Sequence, residues 1–273
     1  MINAPAPTAT STATALPCET MSPRIELFEI AIDRVTLDGA VARLADWIDA
    51  PRGVGCRYVV TPNLDHVVQL RHNFELRAAY AEAGLVLADG WPLVAASRMF
   101  GKRLPERVAG SDLVPALLDA APQRGGLKVF LLGGMPGVGE RAAQRIAKRY
   151  PAVEVSGIHS PPWGFEHDPC ETDRIVELVA KAEPDLLVVG LGAPKQELWL
   201  HRHYRRLPVP VAIAAGATID FLAGVQTRAP RWMQRSHLEW LHRAASDPRR
   251  LTARYVRDGL ALPGLLWGEW RRS

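Results

Sequence analysis

Short apolar runs alternate with longer amphipathic segments along most of the chain, and this alternation predicts its secondary structure. Runs rich in β-branched residues are typical of buried strands, whereas apolar residues spaced three and four positions apart are typical of helices. A first strand is predicted around residues 24–32, and Thr36 is placed to cap the helix that follows it. Further strands are predicted at 56–60, 85–88, 127–134, 152–158, 185–192 and 209–216.

Amphipathic helices are predicted between these strands. Ser111 is expected to cap the helix that ends near Ala121. The other helices begin near Leu64 and Trp91 or cover residues 137–150, 170–183 and 195–206. Strands that alternate with helices form parallel βαβ units, in which helices cover both faces of the sheet. The predicted fold class is therefore α/β, with a mostly parallel, Rossmann-like sheet and helices on both of its faces.

Polar residues and glycines follow nearly every predicted strand. Ligands of such sheets bind beyond the carboxyl ends of the strands, so residues at these positions are the first candidates for a functional site. They occupy 61–63, 89–90, 133–134, 157–159, 190–196 and 216–218. Because so many successive strand ends share this character, turn formation alone is a poor explanation for it.

One of these candidates, Asp89, closes an apolar run in the stretch LVLADGWPLV (85–94). Its simplest interpretation is an Asp-Gly turn, which is common. In the alternative, Arg107 and other strand-end polar groups face it across a cleft. Partial burial there would raise the pKa of Asp89 above the ordinary value of about 3.9, which would make it a better proton acceptor near neutral pH.

The segment FLLGGMPGVGERAA (130–143) resembles a phosphate-binding loop at the start of a helix. Small residues such as Gly133 and Gly134 let backbone N–H groups approach a phosphate, and the following helix adds its positive end. The segment matches neither GxGxxG nor GxxxxGK[ST], so a plain turn between a strand and a helix is an equal alternative.

A second segment, VVGLGAPKQELWL (188–200), is more specific. It places Gly192, Lys195 and Gln196 where a helix begins. The ammonium can neutralise a phosphate there, and the carboxamide can bind a base or a sugar. The alternative is a solvated first turn in which Glu197 complements the helix dipole, but a lysine at that end opposes the dipole and so favours a ligand.

Thr61 and Asn63 offer a hydroxyl and a carboxamide at the end of another strand. Both residue types are good N-caps, so helix capping is their default interpretation. By itself this pair does not indicate a ligand.

The composition is that of an ordinary globular protein. Of the 273 residues, 48% are hydrophobic and 23% are charged, which allows a sizeable core. Residues 1–22 are rich in Ala, Thr and Pro and are expected to form a disordered lead-in without the features of a signal peptide. Residues 23–227 form the predicted α/β domain, and residues 228–273 form a helical, basic appendage. No run of about 18 apolar residues suggests a membrane span.

Neither the cysteines nor the histidines form a recognisable metal site. Cys18, Cys56 and Cys170 are odd in number and widely spaced, which favours a reducing cytoplasm over a disulfide framework or a zinc site. The eight histidines include no HExxH motif, and the chain lacks the D-x-D pair that commonly holds a divalent ion on a diphosphate. No metal and no cofactor are therefore expected, and arginine or lysine would balance any phosphate charge.

The appendage carries the positive charge of the chain. Its ten arginines and four acids give it a net charge of +6, which leaves −2 for the remainder of a chain with a total of +4. It also holds four of the eight tryptophans. Arginine and tryptophan on a helical segment too polar to span a bilayer are typical of an interfacial membrane element. One alternative is a nucleic-acid surface, which the lack of a nucleic-acid-binding motif disfavours, and the other is a domain-closing helix with a solvated charged face.

Several short motifs follow one another along the chain. They are TPN (61–63), ADG (88–90), RVAGSDL (107–113), GLGAPKQE (190–197), DFLAG (220–224), RAPRWMQRSHLEWLHR (228–243), DPRRL (247–251) and RY (254–255). As an ordered set they resemble the WecG/TagA/CpsF family of bacterial glycosyltransferases, from about Ile25 to Arg257. The piece SHLEW departs slightly from the family pattern, which affects the appendage more than the pocket.

The resemblance implies transfer of a sugar from a nucleotide diphosphate, typically UDP, to a polyprenyl-diphosphate-linked acceptor, with inversion and without a metal. It implies that Asp89 is the catalytic base. The substrate-binding residues that it implies are Thr61, Asn63, Arg107, Gln196, Arg243, Arg250 and Arg254. The residues expected from their own chemistry to bind the nucleotide are Gly133, Gly134, Gly192 and Lys195.

The expected partners are a nucleotide-sugar donor, a lipid-linked glycan acceptor and the cytoplasmic face of the inner membrane, where the appendage would bind peripherally and close over the site. Nucleic acid is not expected as a partner, and the sequence leaves open whether the protein forms a homo-oligomer. Two other functions are weighed against transfer in bacterial surface polysaccharide synthesis. A non-catalytic nucleotide-sugar-binding scaffold at the membrane would not need Asp89. A nicotinamide-dependent oxidoreductase would require the GxGxxG turn, which is lacking.

Overall fold

The computed structural model of the chain describes residues 23–53, 55–230, 232–233, 239–246 and 248–273. The lead-in predicted for residues 1–22 lies outside these described residues. The fold begins with an antiparallel hairpin of β1 (Arg24–Leu27) and β2 (Ile30–Asp33), which replaces the single strand predicted there. Phe28 and Glu29 turn the chain with left-handed φ angles of 52° and 63°. Few residues other than glycine adopt such angles, so the apolar pattern does not indicate the turn.

The main sheet consists, in the described residues, of six parallel strands. In chain order they are β3 (Arg57–Val60), β4 (Leu85–Val86), β5 (Leu127–Gly133), β6 (Val153–His159), β7 (Leu186–Gly190) and β8 (Val211–Ala214). Their order across the sheet is β4-β3-β8-β7-β5-β6. The chain therefore changes direction between β3 and β8, which is where such sheets bind ligands, beyond the carboxyl ends of the strands. The predicted parallel α/β sheet is confirmed.

Helices cover both faces of this sheet. They are α1 (Leu37–Asp49), α2 (Leu64–Leu70), α3 (Phe74–Ala81), α4 (Trp91–Met99), α5 (Gly110–Asp119), α6 (Val138–Arg149), α7 (Pro169–Ala182), α8 (Lys195–His203), α9 (Thr218–Ala223), α10 (Glu239–Ser246) and α11 (Pro248–Arg272). Successive strand residues point to opposite faces, so Tyr58 packs in one apolar cluster and Val59 in the other. Two separate cores thus lie on the two sides of the sheet.

The structure confirms one of the two predicted helix caps and contradicts the other. Thr36 caps α1 as predicted, because its hydroxyl accepts a backbone N–H at 3.1 Å. The prediction for Ser111 is wrong: α5 already begins at Gly110, and the cap position falls on Ala109, whose side chain offers no acceptor. A Cβ added to Gly110 would lie 3.1 Å from the Cα of Ala215. Close packing against the segment after β8 therefore sets the start of this helix, and no side-chain cap is used.

The C-terminal helix α11 lies against the α/β core. Leu251 and Leu265 are buried, and Glu269 is only 2% exposed. The Glu269 carboxylate accepts the Phe28 N–H at 2.9 Å and a hydrogen bond from the Lys102 ammonium at 2.7 Å. It therefore fastens the end of α11 to the β1–β2 hairpin and to the segment after α4. No helix in the described ranges is both long enough and apolar enough to cross a membrane.

The Glu269 anchor is expected to make the packing of α11 depend on pH. Burial raises the pKa of Glu269, but hydrogen bonds from Lys102, the Phe28 N–H and Arg272 outweigh it and lower the pKa below its ordinary value of 4.5. Such a group stabilises the folded chain fully above the ordinary pKa, and this stabilisation is lost as the pH falls through the lower, folded-state pKa. We expect Glu269→Gln to lower the free energy of unfolding by about 2 kcal/mol at neutral pH and by much less in acid.

Urea denaturation at about pH 7 and pH 3 measures this difference. Glu29→Gln is the matched control, since the Glu29 carboxylate pairs with Arg272 and Arg77 but is 43% exposed and should contribute little at either pH. A loss of stability in Glu269→Gln that is the same at both pH values would contradict the anchoring role.

Candidate active site

The carboxyl ends of the parallel strands open onto one cavity of about 1600 Å³. Segments that follow all six strands of the main sheet contribute to its lining, together with α2 and α11. The predicted site residues that line it are Thr61, Asn63, Asp89, Gly134, Gly192, Lys195, Gln196 and Arg254. The fold thus brings strand ends that are distant in the sequence to one rim, while the chemical role of each residue stays a prediction.

Asp89 lies at this rim in the segment that follows β4. Its backbone N–H donates to the Pro62 carbonyl at 2.8 Å, which joins the segments after β4 and β3. Its side chain is 27% exposed, and one oxygen lies 3.4 Å from Nη1 of Arg107. The carboxylate is therefore next to both the cavity and a guanidinium. A carboxylate in this position can accept a proton from a ligand in the cavity, which is what a general base does.

Arg107 lies behind Asp89, outside the described lining of the cavity. Its guanidinium also pairs with Asp112 at 2.7 Å and with Glu239 of α10 at 3.5 Å. Burial lowers the pKa of Arg107, but the charges of Asp89, Asp112 and Glu239 outweigh it and raise the pKa above its ordinary value. The structure therefore makes Arg107 a partner that orients Asp89. A direct contact of Arg107 with substrate stays a prediction.

Thr61 and Asn63 end the segment after β3. Asn63 caps α2, because its side-chain oxygen accepts the His66 N–H at 3.3 Å, and the capping interpretation is thereby confirmed for this residue. Capping uses the carbonyl oxygen of the side chain and leaves the two N–H donors of the amide for a ligand. Thr61 is buried and contributes to the wall of the cavity.

Gln196 joins the start of α8 to the segment after β8. Its Oε1 accepts the Gly216 N–H at 3.1 Å, and its Nε2 donates to Glu197 at 2.8 Å. The side chain is buried but still lines the cavity. Because both ends of the carboxamide are engaged, its first role is to hold two loops of the rim together, and its contact with substrate stays a prediction.

The candidate glycines separate into two kinds. Gly133 has a φ of +115°, and a Cβ there would collide with the carbonyl oxygen of Gly190. Gly133 therefore allows the close approach of β5 and β7. It is not among the described residues that line the cavity. Gly134 and Gly192 do line it. Around Gly192, no heavy atom of the described residues other than Gly192 and its two chain neighbours lies within 4 Å of the position that a Cβ would take, so its backbone is open to a ligand.

Lys195 is the first residue of α8, as predicted, but its ammonium already has partners. Nζ lies 2.6 Å from an oxygen of Glu166 and 4.6 Å from the centre of the Trp163 ring. Burial raises the pKa of Glu166, but the hydrogen bond from Lys195 and its own backbone bond outweigh this and lower it. Sequence reasoning missed both partners. The signal for them was the stretch PPWGFE (161–166), which begins just after a strand end.

Two arginines of α11 reach the cavity beside α2. Both pair with the buried carboxylate of Asp65: Arg257 does so through Nη2, and Nη1 of Arg254 lies 3.7 Å away. Arg257 also bonds to the buried Asp258, whose pKa is raised by burial and by the charge of Asp65. Arg254 was predicted, whereas Arg257 and Asp65 were missed because they are 192 residues apart. The side chains of Arg243 and Arg250 are outside the described residues.

The far wall of the cavity, at the end of β6, holds a further pair that sequence reasoning did not select. Nε2 of His159 lies 2.6 Å from an oxygen of Glu171, and Arg174 is 3.7 Å from the other oxygen. Across the described part of the chain, no three His, Cys, Asp or Glu residues are grouped so that they could hold a metal ion. The predicted independence from metals stays a prediction.

The fold and the polar cavity at its strand ends belong to an enzyme, and its class is that of the glycosyltransferases. More specifically, the chain belongs to the glycosyl transferase WecG/TagA/CpsF family, whose sequence model matches residues 25–273. The family resemblance and the enzyme class predicted from the sequence motifs are confirmed.

Three bacterial relatives share the name N-acetylglucosaminyldiphosphoundecaprenol N-acetyl-beta-D-mannosaminyltransferase. The protein of Bacillus spizizenii is 31% identical over 204 residues, which cover 75% of this chain and 76% of the relative. The protein of Bacillus subtilis strain 168 is 32% identical over 170 residues, 62% of this chain and 64% of the relative. That of Staphylococcus aureus strain MRSA252 is 27% identical over 228 residues, 84% of this chain and 87% of the relative.

Proposed function

We propose that the protein transfers a sugar from a UDP-sugar to a polyprenyl-diphosphate-linked acceptor, with inversion at the anomeric carbon and without a metal ion. The observation that carries this proposal is the position of Asp89, a partly exposed carboxylate at a cavity that also has cations on both sides. Lys195 lies on one side, and Arg254 and Arg257 lie on the other. The names of the relatives, which describe transfer to a diphosphoundecaprenol-linked sugar, support an acceptor of this class.

The strand order separates a donor side from an acceptor side. Lys195 follows β7, which is three strands away from β4 and therefore roughly 14 Å from the segment of Asp89. The β-phosphate is bonded through one oxygen to the anomeric carbon, so the long side chain of Lys195 would have to reach back towards Asp89 to meet the diphosphate when the sugar is next to Asp89. Arg254 and Arg257 approach from α11, on the same side of the sheet as β3 and β4. They are placed for the diphosphate of the lipid-linked acceptor.

The reaction is then a single displacement. The acceptor hydroxyl oxygen forms a bond to the anomeric carbon while the bond from that carbon to the β-phosphate oxygen breaks, and Asp89 takes the hydroxyl proton. The transition state is oxocarbenium-like by analogy with glycoside hydrolysis. Negative charge grows on the departing UDP, and the fixed cation Lys195 is most useful where this charge develops. One displacement inverts the configuration of the anomeric carbon.

The proposed place of reaction is the cytoplasmic face of the inner membrane. Tryptophans are exposed along the appendage at Trp232, Trp240, Trp267 and Trp270. Indoles at headgroup depth and arginines near anionic lipid are what an interfacial helix needs. The same helix α11 carries the two arginines at the cavity, so membrane contact and access of the lipid-linked acceptor would be coupled.

Replacing Trp267 and Trp270 together with alanine tests the membrane contact. Their rings are 5.1 Å apart and exposed near the end of α11, so the double variant removes apolar surface without opening the core. We expect its binding to phosphatidylglycerol vesicles, measured by sedimentation, to weaken by about tenfold or more. Phe74→Ala, which removes an even more exposed ring from α3, should bind as the unaltered protein does. Equal vesicle binding by all three proteins would refute the membrane contact.

The proposed activity is tested by incubating the protein with a set of UDP-sugars and polyprenyl-diphosphate-linked N-acetylglucosamine in the presence of EDTA. Release of UDP together with an elongated lipid is the expected result. A protein that binds UDP-sugar but forms no elongated lipid would instead be a binding scaffold. Release of UDP without lipid elongation would show donor hydrolysis and would contradict the proposed acceptor.

A further inference from the structure

One side chain of the cavity is exposed to an unusual degree. Trp163, in the segment between β6 and α7, is 97% exposed and is still part of the cavity lining. No large apolar side chain that the structure describes is more exposed. An indole is the largest apolar side chain, and an apolar surface left open at a concave polar site is typical of a place where a ligand binds.

The segment that carries Trp163 is firmly held. Pro161 and Pro162 precede it and restrict its backbone. Phe165 follows, is 3% exposed, and packs with its ring centre 6.4 Å from that of Trp199. The Phe165 N–H also donates to the Pro162 carbonyl at 3.2 Å. The exposure of Trp163 therefore belongs to a turn whose backbone is held by its neighbours, so little backbone freedom is lost when a ligand binds there.

A cation is held beside the same ring. The Lys195 ammonium lies 4.6 Å from the centre of the Trp163 ring and 5.9 Å from that of Phe165, and Glu166 fixes it at 2.6 Å. Because Trp163 is almost fully exposed, this contact leaves most of the indole surface available. A flat aromatic surface next to an ammonium is suited to a ligand that is aromatic at one end and anionic nearby.

We propose that Trp163 is the stacking platform for the nucleobase of the donor, with Lys195 beside it on the diphosphate. This inference rests on the proposed function, in which the donor is a UDP-sugar. The base is the part of a nucleotide sugar farthest from the reacting carbon. Its platform must therefore lie beyond the diphosphate as seen from Asp89, and Trp163 is next to Lys195, with both residues following strands on the far side of β8 from β3 and β4.

A stacking platform at Trp163 predicts how nucleotide binding depends on the identity of the base. Stacking on an aromatic face tolerates every base, because each base has a π-face. Trp163 should therefore contribute affinity for UDP, CDP and ADP alike, and the choice of uracil must come from other groups. It should contribute nothing to the binding of inorganic pyrophosphate, which has no base.

The test is the dissociation constant for UDP, measured by titration calorimetry on the full chain and on three variants. Trp163→Ala should weaken UDP binding by about 5- to 100-fold, and Trp163→Phe, which keeps an aromatic face, by much less. Phe74→Ala is the matched control, since it removes a ring that is 82% exposed on α3 and away from the cavity, and it should leave UDP binding unchanged. Pyrophosphate should bind equally to all four proteins.

Kinetics provide a second measurement. Stacking of the base is equally strong in the ground state and in the transition state, so Trp163→Ala should raise KM for the donor by a similar factor and leave kcat nearly unchanged. A fall in kcat at constant KM would contradict the platform. Because the ring is exposed, Trp163→Ala should keep the melting temperature of the unaltered protein.

The outcomes separate this inference from the proposed function. If the unaltered protein does not bind UDP, the proposed donor itself is wrong. If it binds UDP and Trp163→Ala binds it equally well, the donor stands and the platform is refuted. If Trp163→Ala keeps its affinity for UDP but loses binding to phosphatidylglycerol vesicles, Trp163 is a membrane contact, and the platform is refuted as well.

Discussion

Asp89→Asn is expected to lower the rate of sugar transfer by at least a hundredfold while the dissociation constant for UDP-sugar stays within about threefold. Asparagine has almost the same shape and keeps the position at the cavity rim, but it cannot accept the proton of the acceptor hydroxyl. Single-turnover transfer and calorimetric titration of the same preparation measure the two quantities.

Asp112→Asn is the matched control for this variant. Asp112 binds the same guanidinium, Arg107, at 2.7 Å, but it lies outside the described lining of the cavity. Its replacement disturbs the ion-pair network without removing the proposed base, so transfer should fall by less than about tenfold. If Asp89→Asn transfers sugar at a rate within about tenfold of that of the unaltered protein, Asp89 is not the base.

The second large effect is expected at the arginines of α11. Replacing Arg254 and Arg257 together with alanine should lower kcat/KM for the lipid-linked acceptor by about a hundredfold, because the two cations placed for its diphosphate are lost. It should also destabilise the packing of α11 by about 3 kcal/mol, because the buried Asp65 is left without its charged partners. Transfer kinetics and the rate of proteolysis in the appendage report the two effects.

A third substitution separates chemistry from anchoring. Adding Asp65→Asn to the double arginine variant removes one of the two buried carboxylates that Arg257 neutralises, so part of the resistance of the appendage to proteolysis should return. Transfer should stay low, because the cations are still missing. Arg271→Ala, on the same helix but stacked on Trp267 at 5.3 Å, is the control and should change neither quantity when assayed in detergent. Recovery of transfer in the triple variant would show that the arginines only anchor the helix.

The fold was largely predictable because its strands and helices are marked by local patterns of apolar residues. Buried strands such as β7 (Leu186–Gly190) appear as short apolar runs, and helices such as α7 show regular apolar spacing. The parallel arrangement follows from their alternation. The β1–β2 hairpin was missed because its turn uses Phe28 and Glu29 in left-handed conformations, for which their residue types carry no signal. Ser111 was misjudged because packing of Gly110 against Ala215 sets the start of α5.

The rim of the cavity was predictable for a related reason. In a parallel sheet the carboxyl ends of all strands lie at one edge, so Asp89, Thr61 and Lys195 had to come near the same cavity wherever their strands stood in the order. The ion pairs around the rim could not be deduced in this way. Asp65 with Arg257, and Lys195 with Glu166, depend on how α11 and the segment after β6 fold back over the rim. No periodic pattern records such contacts.

The anomeric configuration of the transferred sugar tests the central claim most directly. The one-bond coupling between C1 and H1 of the product, measured by nuclear magnetic resonance after reaction in EDTA, shows whether the configuration has changed. Base-assisted single displacement at Asp89 predicts that it is inverted relative to the UDP-sugar. A retained configuration would show that the reaction is not a single in-line displacement and would contradict the account.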